Sequence, residues 1–387
     1  MQQHLPAPSP DALSASRDLQ NLIADEIARH DGWISFSRYM ELALYAPDVG
    51  YYSGGAAKLG KDGDFTTAPE MTPLFGATLA HPIGELMAQS APHILEFGAG
   101  TGKLAADILT ECAAAGIHVE SYSIVELSGE LRARQQQALA AFPQVKWLDG
   151  FPPAFSGVAV GNEVLDAMPV MLVVKGEDGN WLERGVALNE HGFVHEDRRC
   201  DPALIAQIPD AGMLPIGYVT EVHPVGIGFM RSLATMFNAG IAQTGKGGAA
   251  ILIDYGFPAG EYYLDQRGAG TLMCHYRHHA HDDPFYLPGL QDITAHVDFT
   301  AMAIAAVKDG LEMVGYTNQA GFLLAAGLAD RLLQTAPDDA MAYLPKANAV
   351  QKLTSPAEMG ELFKVLVVGK GVELSDKFDR ADQSWRL

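Results

Sequence analysis

Short apolar runs recur along the chain, and each ends at a polar or glycine-containing turn. The first ends at Glu96, and the second, at 119–125, is followed by Glu126; the stretch between them has helical spacing and closes at Gly116. Five further runs predict strands, at 144–147, 157–164, 248–256, 311–318 and 362–370. Seven strands separated by helices predict an α/β fold, a doubly wound sheet whose last strand is antiparallel.

Other elements flank this predicted sheet. Residues 11–46 predict helices, a glycine-rich loop follows, and another helix is predicted from about 72 to 89. Between the fourth and fifth strands lie about 80 residues with hairpin character, which are too many for a loop and predict an insertion at about 170–245. The predicted divisions are an N-terminal helical segment with its loop (1–90), a core (91–375) and a C-terminal tail (376–387).

Length and composition indicate a globular enzyme that is longer than one ordinary domain. The chain has 387 residues, and 48% of them are hydrophobic. No apolar run approaches the roughly 18–20 residues that cross a bilayer. The N-terminal residues 1–19 carry acids and lack the apolar core of a secretory or mitochondrial leader, and the three cysteines are scattered and odd in number. We therefore expect a reducing, cytoplasmic location in a bacterium and no membrane insertion.

Net charge limits the partners. The formal charge of −21 repels phosphate backbones, and the chain has no local basic patch that would override it. We expect no nucleic acid partner. An acidic surface tolerates a basic protein substrate. The formation of a homodimer is also possible.

Three alternating glycines follow the first predicted strand, in "EFGAGTGKLAADIL". They are Gly98, Gly100 and Gly102. A dinucleotide-binding turn needs G-x-G-x-x-G, but Lys103 stands where its third glycine would be. A P-loop needs G-x-x-x-x-G-K-[ST], but Phe97 and Leu104 stand at its first glycine and its hydroxyl position. Both phosphate-binding interpretations therefore fail at a required residue.

The remaining pattern is E-x-G-x-G-x-G, from Glu96 to Gly102, which is the first motif of class I S-adenosylmethionine methyltransferases. Glycines let the backbone pass close under an adenosine and methionine ligand, with Ala99 among the residues that touch it. Glu96 can face the ammonium group of such a ligand. The alternative is a glycine-rich turn with a purely structural role.

The second predicted strand supplies an acid for a ribose. Glu126 lies 24 residues past Gly102, a span that fits one helix and a loop. A carboxylate at the tip of such a strand accepts two hydrogen bonds from a ribose diol. We predict that Glu126 and the adjacent Leu127 bind the nucleoside. The alternative is a solvated acid at a strand end.

The chain resembles the MidA-like family of S-adenosylmethionine-dependent methyltransferases, which includes the mitochondrial complex I assembly methyltransferase. The matches run in order from about residue 20 to 370, and they include "GYYSGGAAKLGKDGDFTTAPEMTPLFG", "YSIVELSGELRARQ", "GNEVLDAMPV", "TEVHP", "ILIDYGFP", "GTLMCHYRHH" and "MGELFKVLVV". The resemblance implies a class I, Rossmann-like core with an N-terminal helical segment and inserted elements. It also implies S-adenosyl-L-methionine as cofactor, S-adenosyl-L-homocysteine as product, and methyl transfer to a protein arginine of a respiratory complex I subunit.

An arginine acceptor needs carboxylates, because its guanidinium group is cationic with a pKa above 12. The segment "GNEVLDAMPV" lies at the end of the fourth predicted strand, on the ligand side of such a sheet. If a helical turn starts at Asn162, then Glu163 and Asp166 share one face. We assign these two acids to the acceptor cation and Asn162 to a polar positioning role. The alternative is a capped helix start in which Asp166 bonds backbone.

Two further segments gain meaning from the family resemblance. "GDFTTAPE" alone predicts a helix N-cap, but the resemblance indicates a lid over the cofactor with four residues facing the pocket: Asp64, Thr66, Thr67 and Glu70. Asp149 follows the third predicted strand, where this class often meets the adenine amino group.

The histidine-rich segment "CHYRHHAHDD" raises the question of a metal. Its spacing matches no zinc signature, and methyl transfer needs no metal, so we predict none. We prefer a substrate channel in which His279 or His296 contacts the acceptor. Glu221 and the pair Asp254–Tyr255 could also line that channel.

Two other functions stay open. One is a methyltransferase of a small molecule or of another side chain. The other is a degenerate methyltransferase that binds S-adenosylmethionine and assists assembly without turnover. The intact glycines with Glu96 and Glu126 argue against the second.

Overall fold

The computed structural model describes residues 5–54, 67–336 and 339–387. Its helices are α1 (Pro10–Arg29), α2 (Phe36–Tyr45), α3 (Ala68–Met71), α4 (Pro73–Gln89), α5 (Lys103–Ala114), α6 (Gly129–Ala138), α7 (Pro202–Ile205), α8 (Pro224–Thr244), α9 (Ala259–Tyr262), α10 (Phe299–Lys308), α11 (Gln319–Ala325), α12 (Leu328–Leu333), α13 (Ala340–Thr354) and α14 (Met359–Leu362). Short 3₁₀ turns cover Asp265–Arg267, Asp376–Phe378 and Ser384–Arg386.

The strands in the described residues are β1 (Trp33–Ser35), β2 (His93–Phe97), β3 (Ser121–Val125), β4 (Val145–Leu148), β5 (Gly157–Asn162), β6 (Met171–Lys175), β7 (Trp181–Asn189), β8 (Gly192–Arg199), β9 (Val219–Val222), β10 (Gly248–Phe257), β11 (Met273–Tyr276), β12 (His279–His281), β13 (Asp292–Thr294), β14 (Val297–Asp298), β15 (Glu312–Asn318) and β16 (Phe363–Lys370).

The chain divides into two compact units, and each is assembled from separate stretches of sequence. Unit 1 takes the described residues of Met1–Phe65, Leu165–Ile227 and Ala259–Ala301, and unit 2 takes those of Thr66–Val164, Gly228–Pro258 and Met302–Leu387. The domain bounds proposed from the sequence (1–90, 91–375 and 376–387) stay a prediction.

Unit 2 is built on a sheet. Seven of its described strands lie in the order β15-β16-β10-β5-β2-β3-β4. The strands from β10 to β4 pair in parallel, whereas β16 pairs antiparallel with both β10 and β15. The inner strands are apolar along nearly their whole length, as expected of parallel strands buried on both faces. The α/β class predicted from the sequence is confirmed.

Helices of unit 2 bury one apolar face against this sheet. In α4, Phe75, Leu79, Ile83 and Leu86 recur at helical spacing and are fully buried in one core with Ile94 of β2. Complete burial of each such side chain contributes roughly 1.5–3 kcal/mol. The predicted helix at 72–89 begins one residue later, because Thr72 is the N-cap and its hydroxyl accepts a hydrogen bond from the amide of Leu74.

Unit 1 contains α1, α2 and two antiparallel sheets. One sheet has the order β1-β7-β6-β9 with β8 paired to β7, and the other has the order β12-β11-β13. The hairpin character predicted within 170–245 corresponds to strands β6 to β9. The sequence predicted only helices over 11–46, whereas β1 separates α1 from α2. This three-residue strand forms because Ile34 pairs with Val186 of β7, a partner far along the chain.

The three cysteines of the chain are free and buried. Among the helices described, none combines the length and the apolar character that a membrane span requires.

Candidate functional site

A turn with glycines in the left-handed region connects β2 to α5. The φ angles of Gly98, Gly100 and Gly102 are 63°, 54° and 84°, which other residues rarely adopt. The amide of Gly98 donates to Val125 O at 3.1 Å, so the pairing of β2 with β3 continues one residue into the turn. Gly102 is the N-cap of α5. The alternating glycines therefore fix the backbone path at the carboxyl end of β2.

Helix α6 packs closely on this turn. A Cβ on Gly102 would lie 3.3 Å from Leu139 Cδ1 and 3.4 Å from Gln135 Cα, so a larger residue would force the helix away. The side chain of Gln135 is completely buried. Its Nε2 donates to Gly100 O at 2.9 Å and to Glu126 Oε2 at 2.8 Å, and its Oε1 accepts from Trp147 Nε1 at 2.9 Å. Gln135 thus joins the glycine turn to the acid that follows β3.

Sequence reasoning missed Gln135. It lies in a run of three glutamines, and nothing in the residue type distinguishes it from Gln136 and Gln137, which are exposed. The phase of α6 is the only signal, because one residue of the three must face the glycine turn.

Glu126 lies immediately after β3 and is buried. Its Oε1 accepts from the amide of Ser128 at 2.9 Å, and Oε2 accepts from Gln135. Burial raises the pKa of this carboxyl group, although those hydrogen bonds act in the opposite direction. An ionised carboxylate can accept about four hydrogen bonds, so it can still accept from a diol.

Glu96 lies inside β2 and is 2% exposed. The hydroxyl of Tyr122 donates to Glu96 Oε2 at 2.7 Å. Burial, with a smaller contribution from the charge of Glu126, raises the pKa of Glu96 to about 7, and the bond from Tyr122 opposes that rise. A cationic group beside Glu96 would favour its ionised form. That Glu96 faces an ammonium group stays a prediction.

Of the four predicted lid residues, the structure describes two. Thr67 is the N-cap residue of α3, without a side-chain capping bond. Glu70 accepts a hydrogen bond from Thr101 Oγ1, which brings α3 to the glycine turn. Asp64 and Thr66 lie outside the described residues.

The remaining nucleoside-binding candidates of unit 2 follow β3 and β4. Leu127, after β3, is 76% exposed, although the adjacent Glu126 is buried. Asp149, after β4, is exposed and pairs with Arg132, with 2.6 Å between Oδ1 and the guanidinium nitrogen. Two residues further on, the ring of Phe151 lies 4.8 Å from that of Phe97 at the end of β2. Contact of Leu127 and Asp149 with a nucleoside stays a prediction.

The predicted helical turn starting at Asn162 is wrong. Strand β5 ends at Asn162, and Glu163 has a φ of 54°. Its amide donates to Ile253 O at 2.8 Å, and the next amide, of Val164, donates to Asp254 Oδ2 at 3.1 Å. Hydrogen bonds to β10 thus replace those a helical turn would make. Residues 162–164, with their left-handed Glu163, are called the acceptor turn below.

The acceptor turn lies beside the glycine turn. Phe97 pairs with Gly161, and a Cβ on Gly98 would lie 3.3 Å from Val164 Cγ2. Asn162 Nδ2 donates to Glu163 Oε1 at 2.9 Å. Within the described residues Asn162 Oδ1 is buried and accepts no hydrogen bond. A buried acceptor without a donor is costly, so this oxygen is suited to a donor from a ligand.

Asp166 and His279 belong to unit 1. Asp166 is buried in a turn in which the amide of Met168 donates to Leu165 O at 3.2 Å, and the Asp166 backbone oxygen accepts from Ala295. No helix connects it to Glu163, so the prediction that the two acids share a helical face is wrong. His279 is exposed on β12, opposite Tyr276.

Of the other channel candidates of unit 1, Glu221 is buried and His296 is half-buried. Burial lowers the pKa of His296 to about 4, and its Nδ1 lies 3.3 Å from Thr271 O. Glu221 accepts hydrogen bonds from the amides of Thr271 and Leu272 and from the Tyr262 hydroxyl. In the ranges that the structure describes, no three histidine, cysteine or acidic residues are grouped as metal ligands.

Comparisons with known proteins identify the family that this chain resembles. Residues 76–317 match the model of a family described as S-adenosyl-L-methionine-dependent methyltransferases. The mitochondrial protein arginine methyltransferase NDUFAF7 homolog of Caenorhabditis elegans is 28% identical over 344 residues, which cover 81% of this chain and 77% of the relative. Protein arginine methyltransferase NDUFAF7 of Xenopus tropicalis is 29% identical, over 92% of this chain and 87% of the relative.

A solved structure extends the likeness to the whole chain. The crystal structure of a methyl transferase candidate from Burkholderia thailandensis, bound to S-adenosyl-homocysteine, is 52% identical, with a TM-score of 0.92 over 99% of this chain and 100% of that one.

The described residues fit S-adenosyl-L-methionine, the cofactor of this family. Its adenosine carries a ribose diol, for which the buried Glu126 has acceptor capacity, and its methionine part can follow the glycine turn. The neighbouring Asn162 Oδ1 offers an unused acceptor. The chain therefore belongs to the MidA-like family of S-adenosyl-L-methionine-dependent methyltransferases.

Proposed function

We propose that this protein is a protein-arginine N-methyltransferase that acts on a respiratory complex I subunit or on its bacterial counterpart. The names of the relatives from Caenorhabditis elegans and Xenopus tropicalis support the arginine acceptor, since each alignment covers more than three quarters of both chains. The complex I subunit rests on the resemblance of the sequence to the MidA-like family.

The observation that carries the proposal is the acceptor turn. A carboxylate, Glu163, is held on a left-handed residue at the carboxyl end of β5, and the glycine turn ends the adjacent strand β2. A guanidinium group stays cationic at neutral pH and presents its N–H groups in a planar fork, which a carboxylate binds with two parallel hydrogen bonds. Glu163 would fix the plane of the acceptor, and Asn162 Oδ1 would accept from a further N–H.

Methyl transfer requires of the protein mainly that it position the acceptor nitrogen. S-adenosyl-L-methionine, when bound, supplies a methyl group on a positively charged sulfur. In-line attack needs the acceptor nitrogen about 3–3.5 Å from that methyl carbon, on the side opposite sulfur. The new N–C bond forms as the S–C bond breaks, and the nitrogen releases one proton. Glu163 would orient the nitrogen and favour loss of that proton through its negative charge.

The other site residues predicted from the sequence keep proposed roles. Glu96, Glu126 and Leu127 would bind the cofactor with Ala99 and the three glycines. Asp149 would meet the adenine, and Asp64, Thr66, Thr67 and Glu70 would cover the cofactor. Asp166 and His279 would serve the acceptor. A cytoplasmic location in a bacterium and a homodimer also stay predictions.

Mass spectrometry tests the acceptor. Complex I subunits from cells with and without this gene should differ by methylarginine at a defined site, and the purified protein should restore the mark in vitro with S-adenosyl-L-methionine. A methylated small molecule, or a methylated lysine or histidine, would replace arginine as the acceptor. Calorimetric binding of S-adenosyl-L-methionine without turnover on any subunit would favour a non-catalytic assembly factor.

A further inference from the structure

We propose that Asp254 is a positioning residue, which holds Glu163 in the conformation that receives the acceptor. This inference depends on the proposed function, because it assigns Asp254 a role through Glu163. Asp254 lies on β10, which pairs in parallel with β5, and Ile253 is opposite Asn162. The end of β5 thus lies beside β10 within unit 2.

Asp254 shares its carboxylate between two backbone amides. Oδ2 accepts from Val164 at 3.1 Å, and Oδ1 accepts from Tyr255 at 2.9 Å. The residue is 1% exposed, so water does not compete for these bonds. A buried carboxylate that accepts from amides on both sides has one favoured orientation. Asp254 therefore fixes β10 and the acceptor turn relative to each other.

The acceptor turn needs such an anchor. A left-handed backbone is uncommon for a glutamate, and residues in sparsely populated conformations persist only where their surroundings determine them. The Glu163 amide bonds to Ile253 O, and the following amide bonds to Asp254. Without the second bond, Glu163 can relax toward the extended backbone of β5, which redirects its side chain.

The side chain of Glu163 is fixed from the other direction. Asn162 Nδ2 donates to Glu163 Oε1, while Asn162 Oδ1 is buried and accepts no bond from the described residues. This unused acceptor is independent evidence that the turn meets a donor outside the described residues. Asn162 orients the Glu163 carboxylate, and Asp254 orients the backbone that carries it.

A double-mutant cycle tests the proposal. The variants are Asp254→Asn, Glu163→Gln and the two combined, each measured for melting temperature, S-adenosyl-L-methionine affinity and methyl transfer to the acceptor. Asparagine keeps the size of aspartate but has one oxygen for two amides. We expect kcat for Asp254→Asn to fall at least about fivefold, with cofactor affinity within about twofold of the wild type. The double variant should be no slower than Glu163→Gln, because both changes act through one side chain.

Asp382→Asn is the control, at an exposed aspartate of the same unit. Asp382 Oδ1 also accepts from a backbone amide, that of Tyr316 at 3.1 Å. Tyr316 lies on β15, at the edge of the same sheet. The kcat of Asp382→Asn should match that of the wild type even if the melting temperature of this variant falls. If Asp254→Asn does not fold, Asp254→Ser replaces it, since a hydroxyl can still accept from one amide.

The two hypotheses fail differently. Normal turnover of Glu163→Gln would remove Glu163 from the acceptor site and contradict that part of the proposed function. Loss of turnover in Glu163→Gln, with normal turnover in Asp254→Asn or with additive losses in the double variant, would overturn the role of Asp254 alone. A fall in melting temperature with unchanged kcat would also overturn it, because it would show a purely structural carboxylate.

Discussion

The buried amide of Gln135 donates a hydrogen bond of 2.8 Å to the carboxylate of Glu126. The same nitrogen also bonds the backbone of the glycine turn. The position of the ribose-binding candidate is therefore coupled to the path of the turn, because one side chain holds both. Cofactor affinity should depend on a residue that has no place in the sequence motif.

Replacing Gln135 by leucine should weaken S-adenosyl-L-methionine binding about tenfold. Leucine fills a similar volume but supplies no donor, so the Glu126 carboxylate loses a charge-assisted bond worth roughly 1.5 kcal/mol and can rotate. Isothermal titration calorimetry measures the effect. Gln136→Leu is the matched control, since Gln136 is the next residue on α6 and is exposed. Equal affinities of the two variants would contradict the role of Gln135.

Glu126→Ala should weaken cofactor binding by roughly 1–3 kcal/mol, which is the cost of losing hydrogen bonds to a charged group. The wild type should gain thermal stability with S-adenosyl-L-methionine and not with NAD. A thermal-shift assay with both ligands checks the two expectations together. Stabilisation by NAD alone would show that the site was assigned to the wrong nucleotide.

Gly100→Val should abolish cofactor binding. The φ of 54° at this position is strained for any side chain and most of all for a β-branched one, whose bulk would also lie in the ligand's path. Gly116→Val is the control, because Gly116 also has a positive φ of 70° and a Cβ there would meet nothing within 4 Å. Both variants should lose stability, but only Gly100→Val should lose binding. Normal cofactor binding by Gly100→Val would show that the cofactor does not bind at the glycine turn.

The stability difference between the wild type and Glu96→Gln should depend on pH. Burial raises the pKa of Glu96 from 4.5 to about 7, so the folded state holds a proton that the unfolded state releases between those values. The contribution of Glu96 to the free energy of unfolding is thus present below about pH 4.5 and is lost as the pH rises to about 7, by on the order of 3 kcal/mol.

Urea unfolding of both proteins without cofactor, from pH 4.5 to pH 8, measures this difference. The free energy of unfolding of Glu96→Gln should rise relative to that of the wild type as the pH rises, because glutamine does not ionise. A difference that stays constant would show that the folded pKa of Glu96 is ordinary.

Glu163→Gln and Asp166→Asn should each lower turnover at least about tenfold, or about 1.4 kcal/mol in the barrier, while cofactor affinity stays nearly unchanged. The amides keep size but remove the charge that balances a guanidinium group. Melting temperature, cofactor binding and methyl transfer are measured on the same samples. If binding falls together with turnover, these acids belong to the cofactor site instead.

The glycine turn and Glu126 could be predicted because their pattern is local. A strand, three glycines at alternating positions and a helix follow one another in a few residues, and the backbone itself requires the glycines. Glu126 follows at a distance that one helix and a loop determine. Neighbours in sequence are here also neighbours in space.

The acceptor turn could not be predicted in the same way. "NEVLD" has the acids and spacing of a helix start, but Val164 finds its partner in Asp254, 90 residues later. Strand β1 likewise depends on β7, and Gln135 is distinguished from two identical neighbours only by the phase of α6. In each case a distant contact decides between structures that local sequence permits equally.

The indole of Trp147 allows the predicted cofactor site of unit 2 to be followed by intrinsic fluorescence. Its Nε1 donates to Gln135, whose other end holds Glu126 and the glycine turn. Hydrogen bonding at the indole nitrogen shifts the emission of tryptophan. The chain has four tryptophans, and replacing the other three by phenylalanine would isolate the signal of Trp147. The remaining fluorophore would report on cofactor entry without any label, because it lies behind the residues that we predict bind the cofactor.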